Sequence, residues 1–300
     1  KAFIILSIPQ YEETFLPNFR NGDVVVLYER NNGTDNVTNK MVFKGNIESI
    51  TDNELRIRLR AAQQNPLVFP ENSRYAVEHD TMDTTFRSMY LGLSSFMDAN
   101  PERRELLLGQ RPPRFDMAYE DRIARTTDDF ERVALKVEAA CDYFLLVGPP
   151  GTGKTSRALR RMVEHFYACP STQVLLLAYT NRAVDEICRS LSAILPQVDY
   201  IRVGSELSCD ARFRKHLLEN VLAECNNRRE VNIRMADCRI YVGTVASIAS
   251  KPELFKLKHF DVAIVDEATQ ILEPQLLGIL CARFKDGRNG IGKFILIGDH

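Results

Sequence analysis

Apolar residues in this chain follow two rhythms, and the change between them divides the sequence. From about residue 20 to 80 the apolar runs are short: Asp23–Tyr28, Met41–Ile47 and Glu54–Arg60, separated by turn-forming stretches at Asn31–Asn36 and Thr51–Asn53. Short runs punctuated by Asn, Asp and Gly predict strands. In the last run Leu55, Ile57 and Leu59 share one face and Arg56, Arg58 and Arg60 the other, as a two-residue period requires. These features predict a small antiparallel β-barrel or sandwich over 20–80, with 1–19 a lead-in from an upstream region. The arginine row suits a solvated strand face or contact with a phosphate backbone.

From Thr81 to Arg122 the spacing lengthens to three and four, through Phe86, Met89, Tyr90, Leu93 and Phe96. This predicts a helical stalk or linker over 81–122, in which Asn100-Pro101 opens a helix and Arg111-Pro-Pro-Arg114 closes it. Phe130, Val133, Ala134, Val137 and Ala140 then mark a helix over Asp128–Ala140. Beyond it, helical patterns alternate with the apolar runs Tyr143–Val147, Val174–Ala178, Tyr200–Val203, Arg239–Val242, Val262–Val265 and Phe294–Ile297. That alternation predicts an α/β domain over 123–300, a parallel sheet with helices on both faces, carrying a charged, mostly helical insertion over 205–237.

Composition narrows the classes. With 45% hydrophobic residues and a formal net charge of -1, the chain can bury sizeable cores and has no overall excess of positive charge. Any nucleic-acid site is therefore local. No apolar run reaches the roughly 18 residues that a membrane span needs, so no membrane partner is expected. The seven cysteines form no C-x-x-C pair, which fits reduced thiols and a cytoplasmic, intracellular setting. Cys209, Cys225 and Cys238 fit no common zinc spacing. A chain that opens on Lys1 without methionine reads as a piece of a longer protein.

Candidate chemistry begins at residue 148. Gly148-Pro149-Pro150-Gly151-Thr152-Gly153-Lys154-Thr155 fits G-x-x-x-x-G-K-[ST], after an apolar strand and before a helix-permissive run. The glycines let backbone N–H groups close around phosphates without a Cβ clash. Lys154 would reach the β- and γ-phosphates of ATP, and Thr155 would offer its hydroxyl to Mg²⁺. With Ser156 these residues form the expected cofactor-binding set. A second apolar strand ends in Asp266-Glu267, where Asp266 would hold Mg²⁺ and Glu267 would orient and deprotonate the attacking water.

Five stretches together, Gly148–Thr155, Ala178–Asp185, Val242–Ser247, Val265–Gln270 and Leu296–Asp299, resemble in order motifs I, Ia, Ib or Ic, II and the start of III of superfamily 1 helicases. The branch is similar to that of the nonsense-mediated-decay helicase and the Okazaki-fragment nuclease-helicase. The resemblance implies a RecA-like P-loop ATPase domain preceded by a β-barrel and stalk. It also implies that Thr180, Asn181 and Thr244 contact a single strand, DNA in the first reading and RNA in the alternative. The Thr180-Asn181 pair also suits a helix N-cap. Gln270 joins Lys154 and Glu267 in the implied catalytic set.

The same resemblance implies a second RecA-like domain after Asp299-His300 to complete the site, so that this piece alone hydrolyses ATP poorly. The adenine-reading glutamine it implies is missing from Thr126–Asp142, where Phe130 or Glu131 stands near the place. A switch or scaffold that binds ATP without translocating is the alternative from another class.

Overall fold

The computed structural model describes residues 2–9, 18–63, 65–80, 84–194 and 197–299. Two compact units divide the chain, Lys1–Asp83 and Thr84–His300.

In the first unit β1 (Phe3–Ser7), β2 (Val24–Glu29), β3 (Val42–Ile50), β4 (Glu54–Leu59) and β5 (Tyr75–His79) form one antiparallel sheet in the order β1-β4-β3-β2-β5. Its edge strands β1 and β5 have no pairing with each other among the described residues. The alternation in β4 is realised: Leu55, Ile57 and Leu59 are buried, Arg56 and Arg58 exposed. Strand β1 lies within the expected lead-in and is held by its own alternation, with Ile4 buried and Ile5 exposed. Its register sets Phe3 opposite Arg58, and the Arg56 and Arg58 guanidinium groups lie 4.7 and 4.9 Å from the Phe3 ring centre. Both also pair with Glu48, at 2.6 and 3.2 Å. Arg56 and Arg58 of the arginine row thus have partners inside their own sheet.

The second unit holds a six-stranded parallel sheet in the order β6-β11-β10-β7-β9-β8. Its strands are β6 (Tyr143–Val147), β7 (Val174–Ala178), β8 (Tyr200–Val203), β9 (Ile240–Thr244), β10 (Phe260–Asp266) and β11 (Ile291–Gly298). The helices are α1 (Thr84–Met97), α2 (Pro101–Leu107), α3 (Glu120–Arg125), α4 (Asp129–Ala139), α5 (Arg160–Ala168) and α6 (Asn181–Ser192), followed by α7 (Leu218–Ala223), α8 (Arg228–Asp237), α9 (Val245–Ala249), α10 (Glu253–Leu257) and α11 (Glu273–Leu280).

Strands covered on both faces are apolar at nearly every position, which is why most of their sequences read as apolar runs. In β7, Val174, Leu176 and Ala178 pack with α5 and α6, while Leu175 and Leu177 pack with α9 and α11. All five are fully buried, and each large aliphatic side chain taken from water contributes about 1.5–3 kcal/mol. The expected α/β class, a parallel sheet with helices on both faces beside an antiparallel sheet, is the class observed.

Three polar devices fix elements around this core. Lys293 of β11 donates to the carbonyls of Val137, Glu138 and Ala140 at 2.8–2.9 Å, so its ammonium closes the C-terminal end of α4. Buried Asp142 accepts from Arg111 and Arg114 at 2.7–3.1 Å and pins the proline-rich linker to the start of β6. Burial alone would raise the Asp142 pKa, but these two guanidinium groups hold it well below the usual carboxylate range. Within 205–237, α7 and α8 follow two short 3₁₀ turns, Glu206–Ser208 and Ala211–His216. The first of these turns is tied to fully buried Arg202, which is ion-paired with Asp185 and reaches the Ser208 carbonyl at 3.5 Å.

Candidate active site

Because the six strands are parallel, their C-terminal ends share one edge, where ligands of open α/β sheets bind. The register aligns that edge across the sheet. Gly298 of β11 lies opposite Val147, and Ala178 of β7 lies between Asp266 of β10 and Thr244 of β9. The segment after β6, the Asp266 carboxylate and the Thr180 and Thr244 positions are therefore laid out along a single ridge. Neighbouring strands are about 4.8 Å apart, so Asp266 and Thr244 stand roughly 10 Å from one another.

The segment after β6 is a tight loop. The Gly148 N–H donates to the Gly298 carbonyl at 3.2 Å, fastening it to β11. Gly151 and Gly153 take φ of 82° and 84°, the left-handed region that costs a residue with a Cβ about 1–2 kcal/mol. The helix that follows opens with a π-helical turn over Lys154–Leu159, in which the Ala158 N–H reaches back to the Gly153 carbonyl at 3.0 Å. The turn carries Lys154 and Thr155 at the loop's end. Lys154 donates to the carbonyls of Gly148 and Pro149 and is ion-paired with Asp299. The Thr155 hydroxyl donates to the Asp266 carboxylate.

Asp266 ends β10 and is 2% exposed. Burial pushes its pKa up, against the Thr155 hydroxyl, the Glu267 N–H at 3.0 Å and the nearby Lys154 charge. Glu267 has φ 53°, and it alone among the described non-glycine residues has a positive φ. A side chain held in that conformation costs about 1–2 kcal/mol and turns off the strand direction just past the sheet edge. The Glu267 pKa is also raised, first by burial and then by the Asp266 and Asp299 carboxylates. Gln270 sits at the end of the short turn Ala268–Gln270, exposed, with its N–H donating to the Glu267 carbonyl at 3.0 Å.

The expected strand-contacting residues lie on the same edge, on the far side of Asp266 from the loop. Thr180 caps α6 by accepting from the Ala183 N–H at 3.1 Å, and Thr244 caps α9 by accepting from the Ser247 N–H at 3.1 Å. Asn181 is exposed at the first turn of α6. The cap geometry read from the Thr180-Asn181 pair is thus present, and Thr244 repeats it one strand further on.

A hard cation takes oxygen donors. Thr155 and Asp266 present two that already touch, beside the loop whose N–H groups suit phosphates, so the residues present fit a divalent ion shared with a bound nucleotide. Among the described residues no group of three or more His, Cys, Asp or Glu side chains converges as a metal cage, and Cys209, Cys225 and Cys238 form none. Asp299 was accessible to sequence reasoning only as part of a motif. Its contact with Lys154 depends on β11 lying next to β6, and no local pattern encodes strand order.

A family model described as an AAA domain matches residues 127–239 and 226–300, more than half the chain. The chain belongs to this family, within the superfamily 1 helicases. It is 26% identical to the DNA replication ATP-dependent helicase/nuclease JHS1 of Arabidopsis thaliana over 94% of this chain and 21% of that protein. Against the helicase/nuclease DNA2 of Xenopus laevis identity is 36%, over 53% of this chain and 14% of that protein. The putative ATP-dependent RNA helicase ECM32 of Saccharomyces cerevisiae is 28% identical over 67% of this chain and 20% of that protein. The matched stretch thus spans only 14–21% of the length of these relatives. Among the described residues no helix is long and apolar enough to cross a membrane.

Proposed function

We propose that this AAA-domain chain is the nucleotide-binding half of an ATP-dependent helicase that moves on single-stranded DNA. The observation that carries the reading is the meeting of Lys154, Thr155, Asp266 and Glu267 at one sheet edge, although the two pairs are far apart in sequence. In this reading the backbone of Gly148–Ser156 cradles the triphosphate, and Lys154 leaves Asp299 to neutralise the β- and γ-oxygens. Thr155 and Asp266 would hold Mg²⁺, which supplies charge neutralisation of the phosphates when bound. Glu267, at the end of β10, orients the attacking water and takes its proton, and Gln270, three residues on, would assist it.

Thr180, Asn181 and Thr244 would contact the strand backbone, with residues 20–80 as an accessory β-domain and 81–122 as its stalk. A second RecA-like domain would complete the charge clamp, and its closing and opening with the nucleotide would drive stepping. The names of the DNA2 and JHS1 relatives support DNA. RNA is the second reading, supported by ECM32 and by the RNA helicase Mov10l1 of Homo sapiens, 30% identical over 45% of this chain and 11% of that protein. Phosphate contacts alone do not separate the two nucleic acids.

The deciding experiment is ATP hydrolysis by the full-length protein with and without matched DNA and RNA single strands, beside Lys154→Ala and Glu267→Gln. Stimulation of several-fold by one strand type, abolished by both substitutions, is expected and identifies the track. A rate indifferent to either strand while ATP still binds would replace the motor with an ATP-binding switch.

A further inference from the structure

The antiparallel sheet of the first unit stops one strand short of closure. Each neighbour in the order β1-β4-β3-β2-β5 is antiparallel to the next, so the two edge strands run in the same direction. Pairing them directly would make a parallel contact in an otherwise antiparallel sheet. A strand running the other way would be antiparallel to both, because an all-antiparallel ring needs an even number of strands.

The backbone of each edge is open to such a strand. The Ile8 N–H donates to the Asn53 carbonyl at 2.8 Å and the Leu59 N–H to the Ala2 carbonyl at 2.9 Å, so even-numbered residues of β1 bond to β4. Phe3, Ile5 and Ser7 therefore aim their N–H and C=O groups away from the sheet. On β5, the Arg30 N–H donates to the Arg74 carbonyl at 2.7 Å and the Asp80 N–H to the Val24 carbonyl at 3.0 Å. Tyr75, Val77 and His79 are left facing outward in the same way. Among the described residues none of these six outward-facing backbone units is paired.

The pleats agree with the directions. The outward backbone groups of β1 belong to residues on its solvent face, Ile5 being 59% exposed, whereas those of β5 include Tyr75 and Val77, which pack on the core. Successive residues of a strand alternate both in side-chain face and in the edge to which their backbone bonds. One intervening strand meets both demands, with its solvent-facing residues paired to β1 and its core-facing residues paired to β5.

Between the two edges lies a groove of about 1240 Å³, lined on its core side by Ile4, Leu6, Phe69, Tyr75 and Val77. An unpaired edge is a template for another strand, and natural edges are usually blunted by charge or proline. Phe3-Ile-Ile-Leu-Ser7 carries neither. A strand antiparallel to β5 would bring its C-terminal end to the place where β5 begins. There exposed Arg30 and Arg74 line the groove with one carboxylate, Glu71, and neither arginine has an ion pair among the described residues. We propose that this groove receives an extended segment of a partner protein, added antiparallel to β1 and β5, with apolar residues at alternate positions and an acidic C-terminal end.

The test is fluorescence anisotropy of fluorescein-labelled Ser-Val-Thr-Ile-Thr-Val-Asp-Glu with the full-length protein. Two control peptides accompany it, one N-methylated at the three apolar residues and one ending in Lys-Lys. A Kd of about 1–100 µM is expected, weakened about tenfold or more by N-methylation, which keeps the side chains and removes backbone donors. Ile5→Pro removes an N–H that faces the groove, at an edge position where proline is tolerated, and should also weaken binding about tenfold. Arg74→Glu leaves the backbone intact and should weaken the acidic peptide about fivefold while favouring the Lys-Lys peptide. Equal binding of the N-methylated peptide overturns strand addition, and a wild-type preference for the Lys-Lys end overturns the assigned direction. No binding up to about 1 mM peptide would mean that the groove is closed by this chain itself or by a second copy, and overturns the proposal.

Discussion

The Lys154 ammonium is ion-paired with the Asp299 carboxylate while it also donates to two carbonyls of its own loop. The cation proposed to meet phosphate is therefore already satisfied by β11. Nucleotide entry must exchange this pair for a phosphate contact, and the pair is only part-exposed, with side chains 15% and 41% accessible. Ion pairs in such settings are worth up to about 1 kcal/mol, or about fivefold in a binding constant. Asp299→Asn should then tighten nucleotide binding two- to fivefold at low salt, and the gap from the wild type should narrow as salt rises. Displacement titrations at two ionic strengths check this. Weaker binding by the variant would mean that Asp299 assists the bound state.

Two raised carboxylates at one edge give a pH signature. Glu267 and Asp266 are both pushed above their ordinary values of 4.5 and 3.8, by burial first. For an acid raised on folding, the unfolded chain ionises first as pH climbs. Stability is fully present below the unfolded pKa and is lost between that value and the higher folded one. Above both, the wild type carries the full penalty. Glu267→Gln and Asp266→Asn should therefore each raise the melting temperature at pH 7. Below pH 4 both gains should shrink toward zero. Melting curves across pH 3.5–8 without metal would read the effect, and a gain independent of pH would assign it to packing.

Much of this site was legible because its chemistry is local. Gly151 and Gly153 must turn where Lys154 and Thr155 follow, and one strand suffices to deliver Asp266 and Glu267. The apolar runs of the parallel sheet were legible for the same reason, since burial on both faces leaves no polar positions in Val174–Ala178. What depends on strand order was not. That β11 separates β6 from β10, bringing Asp299 to Lys154, follows from packing the whole sheet. The contact of Arg56 and Arg58 with the Phe3 ring likewise needed the register of β1 on β4, which sets Phe3 opposite Arg58.

Helix α1 crosses α11 at two glycines that are not equivalent. A Cβ on Gly92 would stand 1.9 Å from the Pro274 carbonyl oxygen, whereas one on Gly278 would find Gly92 Cα at 3.5 Å, an ordinary contact. Replacing glycine by alanine inside a helix gains about 1 kcal/mol of propensity when nothing intervenes. Gly278→Ala should therefore be neutral or raise stability by up to about 1 kcal/mol. Gly92→Ala must push the helices apart against backbone and should cost about 1–3 kcal/mol despite the same propensity gain. Urea unfolding of the two variants checks the asymmetry, and equal effects would show that the crossing is not close-packed.

The deepest charge in the second unit is Arg202 in β8, 1% exposed and paired with Asp185 of α6. Burial is the strongest influence and opposes its charge, but the Asp185 hydrogen bond and the neighbouring charges together outweigh it, so its pKa is raised. The same carboxylate accepts from the Asp210 N–H at 3.3 Å, and Arg202 reaches the Ser208 carbonyl, so one ion pair moors the start of 205–237 to the sheet. Arg202→Met would fill similar space but leave the part-exposed Asp185 without its cation, and losing one partner of such a charged hydrogen bond costs about 1–3 kcal/mol. Arg202→Met with Asp185→Leu removes both charges and should recover most of that loss. Amide exchange should locate the effect, accelerating over 205–217 in the single variant and not along β7. Equal destabilisation in the single and double variants would assign the cost to lost shape rather than to a stranded charge.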